Sequence, residues 1–326
     1  MDSAGVAAVL PGHDVRPVQM SDVPALYDLV VRMNMADLGR VDSTEAEIRD
    51  DLTGPHFSLD ADTVVAIAPD GTAVVYGQGY DEHTGVGWVD AYLDPGLPNY
   101  DEVADALIAA CSERILESAR GRNATSVKLT ANLYEVEKRM WAAYERAGFH
   151  VETVYWRMGM KFADVPPQVP QLPDGYEIRK VTPDDDEVMA QGYELYRDTF
   201  SEHHGSSDVS LKDYSDNWRG QESYDPDAWW FAYEGDRPVG MLMGDRRRVE
   251  QGDGYVRNVG VRKELRGRGI AKALLLTSFA HWRNVGCSGV QLGVDTANVT
   301  GATRLYESVG MTSMLSAIAL EREVSL

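Results

Sequence analysis

Strand-like and helix-like patterns of apolar and polar residues follow one another in the same order in the two halves of the chain. Runs in which apolar residues alternate with polar ones predict β-strands. In each half, such runs lie before and after one long stretch in which the apolar residues recur at helical spacing, which predicts a helix. These stretches place apolar or small side chains on one helix face, at Val103, Ala106, Leu107, Ala110 and Ile115 in the first half and at Ile270, Ala273, Leu274, Thr277 and Ala280 in the second. A shorter predicted helix follows each stretch and ends at Gly148 or Gly310. The order β-α-β-β-β-α-β-α-β therefore occurs twice, which predicts an internal duplication of one mixed α/β domain.

Glycine-containing turns separate the predicted strands, for example Asp70-Gly71 in the first half and Gly252-Asp253-Gly254 in the second. In the first half we predict strands at residues 14–18, 63–68, 73–80, 87–93, 127–130 and 155–161. In the second half we predict strands at residues 176–181, 229–233, 239–247, 255–261, 290–294 and 316–321. The last strand of each set is expected to close the sheet of its own half.

A proline-rich segment joins the halves. Residues 164–175 contain four prolines in twelve positions, which excludes a helix and favours an extended connection. We therefore predict a first domain at residues 1–163, a linker at residues 164–175 and a second domain at residues 176–326.

Composition and charge narrow the classes of function. The 326 residues include 52 acidic and 31 basic side chains, for a formal net charge of −21. So acidic a chain repels nucleic acid and anionic membranes and attracts cations, and no apolar run is long enough to span a bilayer. The two cysteines, Cys111 and Cys287, are too few for a disulfide framework, and the first residues lack the pattern of a secretory signal. We therefore expect a cytoplasmic protein without nucleic-acid or membrane partners.

The strongest candidate for chemistry is a basic, glycine-rich turn between a predicted strand and a predicted helix. Val259–Val261 ends the strand, Arg266-Gly267-Arg268-Gly269 forms the turn, and the helix is expected to begin at about Gly269. The glycines bring backbone N–H groups close to a bound anion, the helix N-terminus adds a partial positive charge, and the arginines add full charges. The segment therefore predicts a pyrophosphate site in an otherwise acidic protein.

Two motifs resemble those of the GNAT acyltransferase superfamily. The pattern Arg-x-x-Gly-x-Ala at Arg266, Gly269 and Ala271 resembles the superfamily's CoA-pyrophosphate motif. The run from Asn298 to Met311, with Leu-Tyr-Glu at its centre, resembles the second motif. The tandem layout resembles that of the mycothiol synthases, a two-domain branch of the superfamily. The resemblance implies two tandem GNAT-like domains and acetyl-CoA as the co-substrate.

The resemblance also implies a role for each residue of these motifs. Backbone groups of Val259, Gly260 and Val261 would bond the acetyl carbonyl and the pantetheine, in a slot where this strand separates from its neighbour. The pyrophosphate would be held by the turn and the first helical residues, which are Leu265, Arg266, Gly267, Arg268, Gly269, Ile270 and Ala271. Asn298 would bond the pantetheine arm, and Tyr306 would protonate the departing CoA thiolate.

The chain departs from the superfamily pattern where a general base is expected. Many relatives carry a glutamate on the strand before the turn, and that position is Arg257 here. Other groups that could take a proton are Glu202, His203 and His204, with Tyr255 and Asp295 as further candidates. The adjacent histidines lack a third ligand at metal-binding spacing, so no metal site is predicted.

The first half departs further from the pattern. Residues 99–102, Asn-Tyr-Asp-Glu, align with the turn, so two carboxylates stand where the second half has arginines and glycines. Val136 takes the place of Asn298, although Tyr144 and Gly148 of the second motif are retained. Because carboxylates repel a pyrophosphate, we predict that the first domain is structural and binds no cofactor.

Together these features predict an acetyl-CoA-dependent N-acetyltransferase with its catalytic site in the second domain. It would transfer the acetyl group directly to the primary amine of a small polar or cationic metabolite, in a pocket formed in part by residues 200–216 and 222–227. A cysteinyl amino-glycoside, the acceptor that the mycothiol-synthase likeness implies, is one alternative. A longer acyl group, an acceptor other than an amine and a non-catalytic acyl-CoA-binding module also stay open, and a monomer or homodimer is expected.

Overall fold

Helices and strands alternate through the described part of the chain. The computed structural model describes residue 1 and residues 3–53, 56–166, 168–200, 209–296 and 301–326. The helices are α1 (Ala4–Val9), α2 (Val23–Asp37), α3 (Glu45–Asp51), α4 (Leu59–Asp62), α5 (Tyr100–Gly121), α6 (Lys138–Arg146), α7 (Asp186–Phe200), α8 (Leu211–Arg219), α9 (Ile270–Asn284) and α10 (Ala302–Glu307). The strands are β1 (Asp14–Arg16), β2 (Thr63–Ile67), β3 (Ala73–Asp81), β4 (Val86–Leu93), β5 (Ser126–Tyr134), β6 (His150–Lys161), β7 (Tyr176–Lys180), β8 (Tyr224–Glu234), β9 (Arg237–Asp245), β10 (Asp253–Val261), β11 (Gly289–Asp295) and β12 (Thr312–Ser325). Within the described ranges, none of the helices is both long and apolar enough to cross a membrane.

These elements form two compact units, each a mixed sheet flanked by helices. The first unit contains Met1–Val154 and Ala317–Leu326, and the second contains Tyr155–Ser316. The two sets of predicted strands and the two long predicted helices are present, so the predicted fold class and its repetition are confirmed.

The sheet of the first unit has the order β1-β2-β3-β4-β5-β12, in which β4 and β5 are parallel and the other neighbours are antiparallel. Helix α5 packs on this sheet through buried side chains at helical spacing, among them Leu107, Cys111 and Ile115. The approach is so close that a Cβ on Gly79 would lie 2.3 Å from the carbonyl oxygen of Cys111, so only glycine fits there.

The second unit repeats this arrangement with the order β7-β8-β9-β10-β11-β6, and β10 and β11 are its parallel pair. Successive residues of β8 alternate between two cores, as the period of a strand requires. Trp230 packs in the core that contains α9, whereas Trp229 and Phe231 pack in the core that contains side chains of α7 and α8. Helix α9 begins at Ile270 with Gly269 as its N-cap, which agrees with the predicted start to within one residue.

The sixth strand of each sheet differs from the prediction that each half closes its own sheet. Residues 155–161 of β6 pair antiparallel with β11 in the second unit, and residues 317–325 of β12 pair antiparallel with β5 in the first. Ile318 and Leu320 are accordingly buried in the core of the first unit, and Met158 and Met160 in that of the second. Strand periodicity shows which face of a strand is apolar, but it does not show which neighbour the strand pairs with. The two units therefore differ from the predicted ranges 1–163 and 176–326 at these two strands.

The exchange of strands makes a prediction about the last residues of the chain. Leu320 is fully buried in the first unit, so Leu320→Ala is expected to lower the free energy of unfolding by about 2–5 kcal/mol. Hydrogen exchange should become faster at the amides of β5 and should stay unchanged at those of β11. Glu323→Ala, at an exposed position of the same strand, serves as the control and should change stability by less than about 0.5 kcal/mol. Faster exchange in β11 instead of β5 would contradict the pairing of β12 in the first unit.

Candidate functional site

A cavity of about 630 Å³ opens in the second unit where β10 and β11 separate. The two parallel strands pair from Asp253 to Val256 on β10 and from Gly289 to Leu292 on β11. Beyond these residues β10 continues along β9 and β11 continues along β6, and the cavity is lined by the two diverging ends. The expected separation of the strand from its neighbour is therefore present.

The backbone of β10 turns alternate residues toward this cavity. The N–H of Arg262 donates to the carbonyl of Val239 on β9 at 2.9 Å. Because direction alternates along an antiparallel strand, Gly260 also faces β9, whereas the N–H and C=O groups of Val259 and Val261 face the cavity. The Val261 carbonyl agrees with this direction, since it accepts a hydrogen bond from Arg266 Nε at 3.3 Å. Val259 and Val261 therefore present backbone donors to the cavity from adjacent cavity-facing positions.

The glycine-rich turn closes one end of the cavity. Gly267 and Gly269 have φ angles of +78° and +85°, which glycine adopts at little cost, and a Cβ on either would meet no atom within 4 Å. The first N–H groups of α9, on Ile270, Ala271 and Lys272, lack an acceptor within the helix, and the N-cap Gly269 offers them no side chain. Such a terminus, open and lined by backbone donors, is suited to bind an anion.

The two arginines of the turn differ in position. Arg266 is half-buried, and its guanidinium donates to the carbonyl oxygens of Val261 at 3.3 Å and Thr199 at 3.4 Å, which ties the turn to β10 and α7. Arg268 is exposed and donates to the hydroxyl of Tyr176 at 3.0 Å. Arg266 lines the cavity, and Arg268 does not contribute to its lining.

The structure brings most of the predicted site residues to this cavity. Those that line it are Val259, Gly260, Val261, Leu265, Arg266, Gly267, Gly269, Ile270, Ala271 and Tyr306. Asn298 lies outside the described residues, as do Glu202, His203 and His204.

Tyr306 contributes a hydroxyl group from α10. Its side chain lines the cavity and is only 7% exposed. Burial, and to a smaller extent the neighbouring Tyr255, raises the pKa of Tyr306 to about 12. The phenol is therefore protonated at every physiological pH and is a permanent hydrogen-bond donor.

Further residues line the cavity that sequence reasoning did not select. They are Tyr155, Thr199, Val256, Lys272, Leu292, Gly293, Val294, Gly301, Ala302 and Leu305, together with Arg257 and Asp295, which were considered only as base positions. Phe200, the first residue of the segment expected to help form the acceptor pocket, lines the cavity as well. Lys272 had a usable signal, because it follows Arg268 by one helical turn at the start of α9. No sequence signal pointed to Tyr155, because its strand was assigned to the sheet of the other half.

Arg257 occupies the end of the cavity away from the glycine-rich turn. It is the extra residue of a β-bulge, because the register between β10 and β9 shifts between Val256 and Asn258. Its guanidinium lies 4.4 Å from the centre of the Trp218 ring and donates to Gln221 Oε1. Burial lowers the pKa of Arg257, and Arg247 contributes to the same effect. The described residues thus place a cation where a carboxylate was expected, and none of them form a group of three that could hold a metal ion.

In the corresponding region of the first unit, a tyrosine hydroxyl bonds to a backbone carbonyl of the strand. Pairing of the parallel strands β4 and β5 ends at Trp88 and Thr130, as it ends early in the second unit. The Tyr144 hydroxyl donates to the carbonyl of Val89 at 2.8 Å. The phenol therefore bonds to a backbone acceptor next to the last residue of β4 that pairs with β5. In addition, α5 carries Asp101 and Glu102 in its first turn, where α9 has no acidic residue.

Comparisons with known proteins agree with this geometry. The model of the acetyltransferase (GNAT) family matches residues 189–311. A mycothiol acetyltransferase of Thermobispora bispora is 32% identical over 238 residues, which are 68% of this chain and 75% of that protein. A GCN5-related N-acetyltransferase from Sphaerobacter thermophilus has a similar crystal structure, with a TM-score of 0.79, 26% identity and coverage of 96% of both chains. A tandem GNAT protein from the clavulanic acid biosynthesis pathway shares the fold, with a TM-score of 0.70, 16% identity and coverage of 95% of this chain and 98% of that one.

The anion site at the start of α9 can be tested with a matched pair of glycines. Gly269→Glu places a carboxylate beside the backbone donors, and we expect it to weaken acetyl-CoA binding by about 100-fold or more, since charge repulsion of a few kcal/mol corresponds to that factor. Isothermal titration calorimetry would measure the dissociation constant.

Gly286→Glu is the control for this variant. Gly286 has a φ of +94° and no atom within 4 Å of a Cβ, so it carries the same backbone cost at an exposed position outside the cavity lining. Acetyl-CoA binding should be unchanged in this variant. Equal affinity in the two variants would reject the anion site.

Proposed function

The chain belongs to the GNAT acetyltransferase family, and we propose that acetyl-CoA lies between β10 and β11 with its pyrophosphate at the start of α9. The enzyme is an N-acetyltransferase that takes the acetyl group from acetyl-CoA. The observation that carries the site is the separation of two parallel strands beside a helix N-terminus with open backbone donors.

The donor substrate would be held largely by the backbone. Its pyrophosphate accepts hydrogen bonds from the N–H groups that follow Gly267 and Gly269, and Arg266, Arg268 and Lys272 add positive charge nearby. The pantetheine arm runs through the gap between β10 and β11, where Val259 and Val261 offer backbone groups. We keep Asn298, which lies outside the described residues, as the proposed side-chain contact to this arm.

The reaction is a direct transfer. The amine nitrogen attacks the thioester carbonyl carbon, a C–N bond forms, and the carbonyl oxygen carries negative charge until the C–S bond breaks. The N–H groups of Val259 or Val261 stabilise this oxyanion, because preorganised donors in a cavity cost no reorganisation as charge develops.

Two protons move during the transfer. Tyr306 donates to the leaving sulfur, for which its raised pKa keeps the phenol protonated. The attacking nitrogen loses a proton, and Asp295 is the carboxylate among the described residues that line the cavity. We assign it as the proton acceptor, directly or through water.

The acceptor is a small molecule with a primary amine. Two acceptor classes are compatible with the acidic chain, namely polar or cationic metabolites and a cysteinyl amino-glycoside of the kind implied by mycothiol-synthase-like relatives. The match to a mycothiol acetyltransferase over 75% of that protein keeps the second class as the alternative to the first.

The first unit is proposed to be structural. Tyr144 occupies the Val89 carbonyl, and Asp101 and Glu102 would repel a pyrophosphate at the start of α5. One acetyl-CoA per chain is therefore expected. The cytoplasmic location and the monomeric or dimeric state stay predictions, and the two cysteines are free and buried.

The proposed function is tested by thiol release from acetyl-CoA in the presence of a panel of amines. Release that depends on the amine, with one mole of acetylated product per mole of CoA, is expected. Saturable acetyl-CoA binding without amine-dependent release would reject the proposed site chemistry.

Replacing Tyr306 tests its role as the proton donor. Tyr306→Phe is expected to lower kcat by about 100-fold or more while the dissociation constant for acetyl-CoA stays within about threefold, because the ring remains and only the donor is lost. Since burial raises the pKa of Tyr306 to about 12, the wild-type rate should not decline through ionisation of this residue below that pH.

Tyr144→Phe in the first unit is the matched control. It leaves the Val89 carbonyl without its donor and should lower stability by about 1–3 kcal/mol, with kcat unchanged. A Tyr306→Phe variant with wild-type kcat would rule out the proposed role of the phenol.

A further inference from the structure

Three charged side chains, Asp245, Arg247 and Arg257, meet near the far end of the cavity. Asp245 is fully buried, and Arg247 contacts its carboxylate with Nε at 2.8 Å and Nη2 at 2.7 Å. Arg257 Nη1 lies 4.0 Å from the same carboxylate. One carboxylate therefore stands beside two guanidinium groups, and Arg247 makes the closer contacts with it.

Of these two arginines, Arg257 is the one that lines the cavity. Its side chain is held against the Trp218 ring on one side and by Gln221 on another, so the planar group has a defined orientation. A guanidinium has five N–H donors in a fixed fork. Within the described residues, Gln221 accepts from one of them, and donors remain for a ligand.

Burial of this cation is costly unless an anion lies near it. The Arg257 side chain is 24% exposed, whereas the Asp245 side chain is fully buried. Burial, and to a smaller extent Arg247, lowers the pKa of Arg257, while Asp245 acts in the opposite direction. A ligand anion would stabilise the charged form.

The position of Arg257 points to the acceptor and not to the CoA phosphates. The proposed pyrophosphate site lies past the other end of the strand, and the four residue steps from Arg257 to Val261 span about 13 Å. The backbone of Val259, proposed to hold the thioester carbonyl, is two residues from Arg257, or about 7 Å along the strand. An amine that attacks at Val259 can therefore carry a second group that reaches the guanidinium.

We propose that Arg257 binds a carboxylate of the acceptor, so that the acceptor carries a carboxylate as well as the primary amine that is acetylated. Arg247 holds the Asp245 carboxylate at closer range than Arg257 does, and the fork of the Arg257 guanidinium suits the two oxygens of a carboxylate. Arg257 is thus a specificity-determining residue, in place of the carboxylate that the superfamily pattern led us to expect. The proposal rests on the proposed function, since it places the thioester at Val259.

The test compares amine acceptors that differ only in the carboxylate. A panel of L-amino acids and their carboxamides would be assayed by thiol release from acetyl-CoA. The wild-type enzyme should prefer the acids by about tenfold or more in kcat/KM, because a charge-assisted hydrogen bond of about 1.5–3 kcal/mol is lost with the amide. Arg257→Gln should abolish this ratio, mainly through KM of the acid, and Arg257→Lys should restore part of it.

Arg283→Gln is the control variant. Arg283 is also half-buried and stacked, with its guanidinium 4.5 Å from the Phe162 ring, but it does not line the cavity. The preference for acids should persist in this variant. Calorimetric acetyl-CoA binding should be equal in wild type, Arg257→Gln and Arg283→Gln, which separates a change of specificity from misfolding.

Two results would overturn the assignment of Arg257. One is a wild-type enzyme that binds acetyl-CoA but uses carboxamides or other amines without a carboxylate as well as it uses the acids, or uses no acid at all. The other is an acid preference that Arg257→Gln leaves intact. Loss of acetyl-CoA binding in the wild type would instead reject the cofactor site, so the two failures are distinguishable.

Discussion

The separation of β10 from β11 is the constraint on which the rest of the site depends. A buried backbone donor without a partner is costly, so a sheet that stops pairing in its interior needs something else to satisfy those groups. Here pairing ends at Val256 and Leu292, and the next cavity-facing donors belong to Val259 and Val261. The bulge at Arg257 lies at the same point, and it adds twist where the strands diverge. The gap therefore belongs to the folded sheet itself, and a ligand with hydrogen-bonding groups along its length would pair with the backbone groups that face it.

The two units share one topology but differ in the residues at this place. Each unit has a parallel strand pair with a helix that packs across it and a tyrosine from the following short helix. In the first unit the Tyr144 hydroxyl donates to the Val89 carbonyl, and the helix that follows the strand begins with acidic residues. In the second unit Tyr306 lines a cavity, and the helix begins after two glycines with positive φ. The two units therefore differ here in the contact that the tyrosine makes and in the charge and backbone conformation at the start of the helix.

The charge of the site opposes the charge of the chain. The chain carries a net charge of −21, yet Arg266 and Lys272 line one end of the cavity and Arg257 the other. Interactions among solvent-exposed charges are screened over roughly 10 Å, so the local charges govern what binds inside the cavity, and the global charge acts mainly on approach. The global charge favours cationic acceptors, whereas the local cation at Arg257 favours an acceptor that also bears an anion.

The sequence by itself determined the repeated α/β order, the start of α9 to within one residue, and the clustering of most motif residues, because these depend on short-range periodicity and on residues close together in the chain. It determined neither the partner of the last strand in each half nor the surroundings of Arg257. Strands β6 and β12 carry the same kind of pattern whether they pair with β5 or with β11, so only the packing of Leu320 and Met158 in their cores selects the neighbour. The surroundings of Arg257 come from Trp218, Gln221 and Asp245, which lie on other elements and meet it only after folding. The residues of the glycine-rich turn could be predicted to lie together because they are continuous along the chain, whereas the surroundings of Arg257 depend on tertiary structure because they are distant in sequence.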